Sequence, residues 1–167
     1  MLDNPYHLVF TLLLIGMLLA IFYQDLKYRA VWWGNFVALI VFVVLYQLKY
    51  QTGKEILYNA MINFSFLFLL FLFLAFYFLI RYKKLSFFNQ YLGYGDAIFL
   101  FIVGLKFSLH SFIIFLVSGN LIILVFIILN KNYRRKDYLV PYAGALALIL
   151  IPWIMLADIL KIDFFVF

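Results

Sequence analysis

"LYNAMINFSFLFLLFLFLAFYFLI", Leu57 to Ile80, carries no charge along its whole length. A helix needs about 20 consecutive apolar residues to cross the hydrocarbon core of a bilayer. This run exceeds that. Inside a bilayer every backbone N–H and C=O must find a partner within the protein, so the run is predicted to be a spanning helix. Five more apolar runs are read as spans: Pro5 to Gln24, Val31 to Leu48, Gly93 to Leu105, Ser111 to Asn130 and Tyr138 to Leu160, of which Gly93 to Leu105 is the weakest, being short and polar at its start. Pro152 is an expected kink in the last. The first run starts beside Asp3 rather than a basic residue, and no small-x-small site follows it. It reads as a retained helix, not a cleaved signal. The expectation is an all-α integral membrane protein with a bundle of six transmembrane helices in one domain, residues 1–167.

Composition agrees. Apolar residues make up 69% of the 167, far more than a soluble core of this size requires. Cysteine is absent, which removes disulfides, thiolate metal sites and a cysteine nucleophile. His7 and His110 lack a neighbouring set of ligand residues, so no metal or cofactor is expected. The net charge of +6 fits the anionic face of a lipid bilayer better than nucleic acid.

The loops alternate in charge. Lys27, Arg29, Arg81, Lys83, Lys84, Lys131, Arg134, Arg135 and Lys136 fall on one side, and Lys49, Lys54, Lys106 and Lys161 on the other. The positive-inside rule then puts both termini outside and the basic loops in the cytoplasm. On this topology Trp32 and Trp33 lie at an interface, as an aromatic belt requires. Asn63, Ser65, Ser118 and Asn120 are candidates for hydrogen bonds between helices, and Gly16, Gly104 and Gly119 for close helix packing.

Two carboxylates stand out. Asp25 ends the first run and Asp96 starts the fourth, so both sit at the cytoplasmic side at matching depth. An ionised Asp deep in a bilayer costs roughly 2.5–3.5 kcal/mol on insertion scales. Two facing Asp residues reduce that by sharing a proton, and such a pair is an acid and a base in one place. The ionised member takes a proton from water while the protonated one polarises a carbonyl, which peptide hydrolysis needs. Gly93 and Gly95 precede Asp96 in G-Y-G-D; lacking side chains, they let a backbone approach closely and adopt unusual dihedrals. Strand-like pairing with an extended peptide would use the exposed backbone. Plainer roles stand beside these: Asp25 as a solvated helix end near Lys27 and Arg29, Asp96 as a helix N-cap, and Asp137 as a loop charge. Asp158, inside the last apolar run, is expected to find a partner near the outer face.

Three stretches, in this order, resemble the prepilin peptidases and the preflagellin peptidases, membrane aspartyl proteases of the GxGD type. "DLKYRAV" (Asp25 to Val31) resembles the segment bearing the first catalytic Asp. "GYGDAIFL" (Gly93 to Leu100) resembles the segment bearing the second. "VPYAGALALIL" (Val140 to Leu150) resembles the proline-led opening of the last helix. The resemblance implies a single membrane-embedded peptidase domain with Asp25 and Asp96 as the catalytic pair and Gly93 and Gly95 shaping substrate binding. It implies type IV pilin-like precursors as substrates, cut at the cytoplasmic face of the inner membrane just before their hydrophobic helix. The sequence departs from many bacterial members in two places. Trp32 and Trp33 follow Val31 where an Ile-Pro-Asn run is usual, and Ile98 replaces a Lys. With no cysteine and no long cytoplasmic insertion, cleavage without methyl transfer is expected. A catalytically inactive member acting as a membrane assembly scaffold is the alternative, and a proton-coupled transporter ranks last.

Overall fold

The computed structural model describes residues 5–49, 51–83, 93–130 and 140–160. Among these residues the chain forms six α-helices: α1 (Pro5–Tyr28), α2 (Trp33–Gln47), α3 (Gly53–Tyr82), α4 (Tyr94–Lys106), α5 (Leu109–Leu129) and α6 (Tyr142–Leu160). Asp3, Lys84, Lys131, Arg134, Arg135, Lys136, Asp137, Lys161 and the side chains of His7 and Asp158 lie outside what is described. The roles expected of them are therefore left as sequence readings.

Three helices, in α1, α3 and α5, are long and apolar enough to cross a membrane, which gives the chain the character of an integral membrane protein. At about 1.5 Å per residue, α3 with 30 residues is ~45 Å long and α5 with 21 is ~31 Å. Two shorter apolar helices, Trp33–Gln47 and Tyr142–Leu156, accompany them. The helix α4 has only 13 residues, ~20 Å.

That short helix is the centre of the fold. It packs chiefly on α2 and α3, and also on α5 and α6, while α1 packs chiefly on α6. Ala97, Phe99, Leu100, Ile102 and Val103 are all buried. Apolar side chains gain little from leaving lipid for protein, so this core is held by close packing rather than by escape from water. Phe64 and Phe71 of α3 pack edge-on against Phe101, with centroids 5.0 and 6.2 Å away. Gly104 lets Asn63 and Phe112 approach, and a Cβ there would meet them at 3.5 and 3.6 Å. Gly119 is tighter still, with Leu146 at 2.9 Å from such an atom. Gly16 is a correction: nothing lies within 4 Å of its would-be Cβ, so it mediates no close packing.

A helix that stops inside an apolar bundle exposes its last carbonyls to surroundings without water. Two side-chain amides answer this. Gln47, at the end of α2, donates to Leu105 O (2.8 Å) and Lys106 O (3.3 Å). Asn63 of α3, fully buried, donates to Gly104 O (2.8 Å) and Phe107 O (2.6 Å). The expectation for Asn63 and Asn120 as interhelical donors or acceptors is met, since Asn120 accepts from Tyr142. Ser65 and Ser118 instead bond carbonyls of their own helices. Asn63→Leu should therefore cost about 1–3 kcal/mol, the penalty for stranded buried carbonyls. Ser65→Ala should change stability by less than about 0.5 kcal/mol. Thermal unfolding of the two variants in detergent measures the difference.

Helix ends differ from the sequence reading in instructive ways. The helix α3 begins four residues before Leu57, at Gly53, because Thr52 and Glu55 form a reciprocal capping box. The helix α1 runs past Gln24 to Tyr28 and stops at Arg29, whose φ of 54° is left-handed. Asp25 thus lies one turn inside the helix. Pro152 sits within α6, where it removes one backbone donor.

Candidate active site

The site forms where α6 starts. The first N–H groups of a helix have no partner within it, and its N-terminus carries roughly half a positive charge. In α6 the side chains of two other helices take up these groups. Ala143 N donates to Asp96 Oδ1 at 2.8 Å, and Gly144 N donates to Asp25 Oδ2 at 2.7 Å. Two acids from different helices, far apart in the sequence, thus dock on consecutive amides. The geometry of one peptide unit keeps these two oxygens within about 9 Å of each other.

Each carboxylate has further surroundings that fix its place. Asp25 is 8% exposed, so it is not the solvated helix end that its basic neighbours suggested. It occupies the last turn of α1, the negative end of that helix dipole. The positive start of α6 offsets this. Asp96 occupies the third position of α4, not the N-cap; the N-cap is Gly93. Its Oδ2 accepts from Gly93 N at 3.1 Å, which is half of a capping box. Its Oδ1 is left for α6. Asp96 therefore caps its own helix and the start of another, and the N-cap alternative describes only one of its oxygens.

The glycines divide. A Cβ on Gly93 would meet Asp96 Oδ2 at 3.1 Å, so this glycine keeps space for the carboxylate. A Cβ on Gly95 would meet Phe36 at an ordinary 3.7 Å. The expected unusual dihedrals are absent: no described glycine has positive φ, and Gly93 has φ −69° and ψ 148°. The reason is that an extended N-cap is open to any residue. What the helix start demands at 93 is room, not backbone freedom.

Three residues of the site escaped the sequence reading. Gly144 is the most confined: a Cβ there would sit 3.0 Å from Asp25 Cβ and Oδ2 and 3.3 Å from Phe22 Cα. Tyr142 donates its hydroxyl to Asn120 Oδ1 at 2.9 Å and stands next to Ala143. Gln24 Oε1 accepts from Trp32 N and Asn35 Nδ2, both at 3.0 Å, and so ties the α1–α2 turn beside Asp25. Trp32 and Trp33 are exposed at that turn. His110 is exposed, and no group of three metal-ligating side chains occurs among the described residues. The signal for Gly144 lay in the quoted "VPYAGALALIL", but nothing local says that its amide serves an acid 119 residues away.

Chemically, the arrangement offers two carboxyl groups held by backbone N–H bonds on consecutive amides, with Arg29 near Asp25 at the end of the same helix. Such a pair can hold one proton between an acid and a base. No family model matches the chain, and neither a curated protein nor a solved structure matches it.

Proposed function

We propose that the protein is a membrane aspartyl endopeptidase of the prepilin-peptidase type, cleaving the basic leader from type IV pilin-like precursors without methyl transfer. One observation carries the reading: Asp25 and Asp96 accept hydrogen bonds from the adjacent amides of Gly144 and Ala143. The three-part sequence resemblance supports it independently. In this reading the helices lie in the inner membrane, α4 being too short to cross it alone, with both termini outside and the carboxylates toward the cytoplasm.

The reaction needs no covalent intermediate. The ionised carboxyl removes a proton from water as the oxygen attacks the scissile carbonyl. The protonated carboxyl donates a hydrogen bond to that carbonyl, and then supplies a proton to the leaving nitrogen. The amides of Ala143 and Gly144 orient the pair and leave the remaining lone pairs for water and substrate. Proximity of this kind is worth several kcal/mol of barrier when geometry is held.

The test is direct. Co-expression with a pilin-like precursor should give a mobility shift with the native chain and none with the Asp25→Asn, Asp96→Asn double variant. Full processing by that double variant excludes the mechanism. Cleavage should also follow a bell-shaped pH profile. At low pH both carboxyls are protonated and no base remains; at high pH both are ionised and no acid remains. The two apparent pKa values belong to the pair rather than to either residue. A profile with a single limb contradicts shared acid–base work.

A further inference from the structure

Three consecutive residues open α6, and each is tied to a different helix. Tyr142 gives its hydroxyl to Asn120 Oδ1 of α5 at 2.9 Å, Ala143 gives its amide to Asp96 of α4, and Gly144 gives its amide to Asp25 of α1. A helix commonly satisfies one of its first free N–H groups with a side-chain oxygen of the residue before it. Here that residue is Pro141. Its carbonyl accepts the first backbone bond of the helix, from Ala145 at 2.9 Å, but its ring offers no acceptor. The start of α6 is therefore placed by other helices, and two of its three ties are carboxylates.

The third tie differs in kind. A phenol and a carboxamide are both uncharged near neutral pH. A carboxyl group is not so constant. Hydrogen bonds to an ionised group are roughly twice as strong as those between neutral ones, so the bonds to Asp25 and Asp96 change in strength whenever a proton enters or leaves the pair. The Tyr142–Asn120 bond does not. It is also anchored at its far end. Asn120 Nδ2 donates to Leu116 O of its own helix at 2.8 Å, which turns the amide oxygen toward Tyr142. One turn further along α6, on the same face, Leu146 lies against Gly119, where a Cβ would sit 2.9 Å from it. The helices α5 and α6 are thus joined at two levels, by a hydrogen bond beside the carboxylates and by a close apolar contact one turn on.

We propose that Tyr142 is a positioning residue of the site: through Asn120 it fixes the first turn of α6 on α5, and so holds the amides of Ala143 and Gly144 in place while the charge on the carboxylates changes. This rests on the peptidase reading for its catalytic consequence, though not for its geometry. The hydroxyl takes no part in the reaction. It sets where the two amides stand, and through them Asp25 and Asp96. Without it the helix start is left to two acceptors whose hold varies with every proton transfer.

Tyr142→Phe keeps the ring and deletes the bond. Asn120→Leu deletes it from the side of α5 and leaves Tyr142 intact, so the test does not hang on one variant. The chain has eight glycines, so full-length protein labelled with ¹⁵N-glycine in lipid nanodiscs is a short spectrum to assign, and the signal missing from Gly144→Ala is that of Gly144. In both variants the Gly144 amide should exchange with solvent about tenfold faster than in the native chain, as the loss of one hydrogen bond predicts. Gly16, in the middle of α1, should exchange as before, which separates release of the helix start from general loosening. With a pilin-like precursor, kcat should fall about tenfold and KM stay within about twofold. The double variant should be no worse than either single one. Unchanged exchange at Gly144 in both variants overturns the proposal. So do losses that add in the double variant, or Gly16 accelerated as much as Gly144. Exchange does not depend on cleavage. A native chain that cuts nothing, with Gly144 released in both variants, therefore keeps the positioning role and rejects the peptidase. Native-like cleavage by both variants, with Gly144 undisturbed, does the reverse.

Discussion

Asp96→Asn should abolish cleavage, with a loss of at least ~10³-fold, and Asp25→Asn should do the same. General acid–base catalysis by one positioned group contributes about 10²–10⁴-fold, and each substitution removes both the shared proton and the charge. The two variants should differ in stability, and the geometry says how. Both oxygens of Asp96 accept backbone N–H bonds, from Ala143 and from Gly93. An asparagine has one acceptor oxygen and one NH₂, so one of those amides would face another donor. That should destabilise the protein by about 1–3 kcal/mol. Asp25 has a single backbone donor, Gly144, and an asparagine oxygen can keep it. Asp25→Asn should therefore unfold in detergent within about 0.5 kcal/mol of the native chain. Equal destabilisation by both would show that the two carboxylates are not held as described.

The second large effect is expected at Gly144, a residue with no chemistry of its own. Gly144→Val must displace either the Asp25 side chain, 3.0 Å from the first added atom, or the α1 backbone at Phe22, 3.3 Å from it. Backbone cannot swing aside as the tip of a long side chain does, so the carboxylate moves. A displacement near 1 Å in a catalytic group costs on the order of 10²-fold. Gly144→Val should lower kcat by about that factor, with the protein still inserted and its pH profile shifted. Gly144→Ala should fall between. Gly95→Ala is the contrast, since its Cβ would make only an ordinary contact with Phe36. Its activity should stay within a few-fold of native. A Gly95→Ala loss as large as that of Gly144→Val would mean that the glycine before Asp96 contacts substrate directly.

Much of the fold was legible from local pattern, because a bilayer imposes one rule on every segment. Uncharged runs long enough to cross stand out, and α1, α3 and α5 coincide with three of them. The start of α3 was also written in the sequence, as Thr52 followed three residues later by Glu55. Hydropathy passes over that signal because it registers a change in polarity, not the pairing of a cap. The short central helix was legible as an element, since the run Gly93 to Leu105 forms a helix over Tyr94–Lys106, but its central place was not. Its 13 residues read as a weak span, and its role depends on Gln47 and Asn63 reaching its carbonyls from other helices. The burial of Asp25 was not legible either: Lys27 and Arg29 beside it allowed a solvated helix end, yet the residue is 8% exposed. A sequence shows which residues neighbour an acid along the chain, but not which helix start folds over it.

The measurement closest to the central claim asks whether positions 25 and 96 meet. In a chain otherwise free of cysteine, Asp25→Cys and Asp96→Cys are combined and treated in membranes with a short bifunctional thiol reagent. An internal cross-link joining α1 to α4, lost when either cysteine is paired instead with Leu13→Cys, is the expected result. Two thiols that label independently and never join would contradict a shared site at the start of α6, and the peptidase proposal with it.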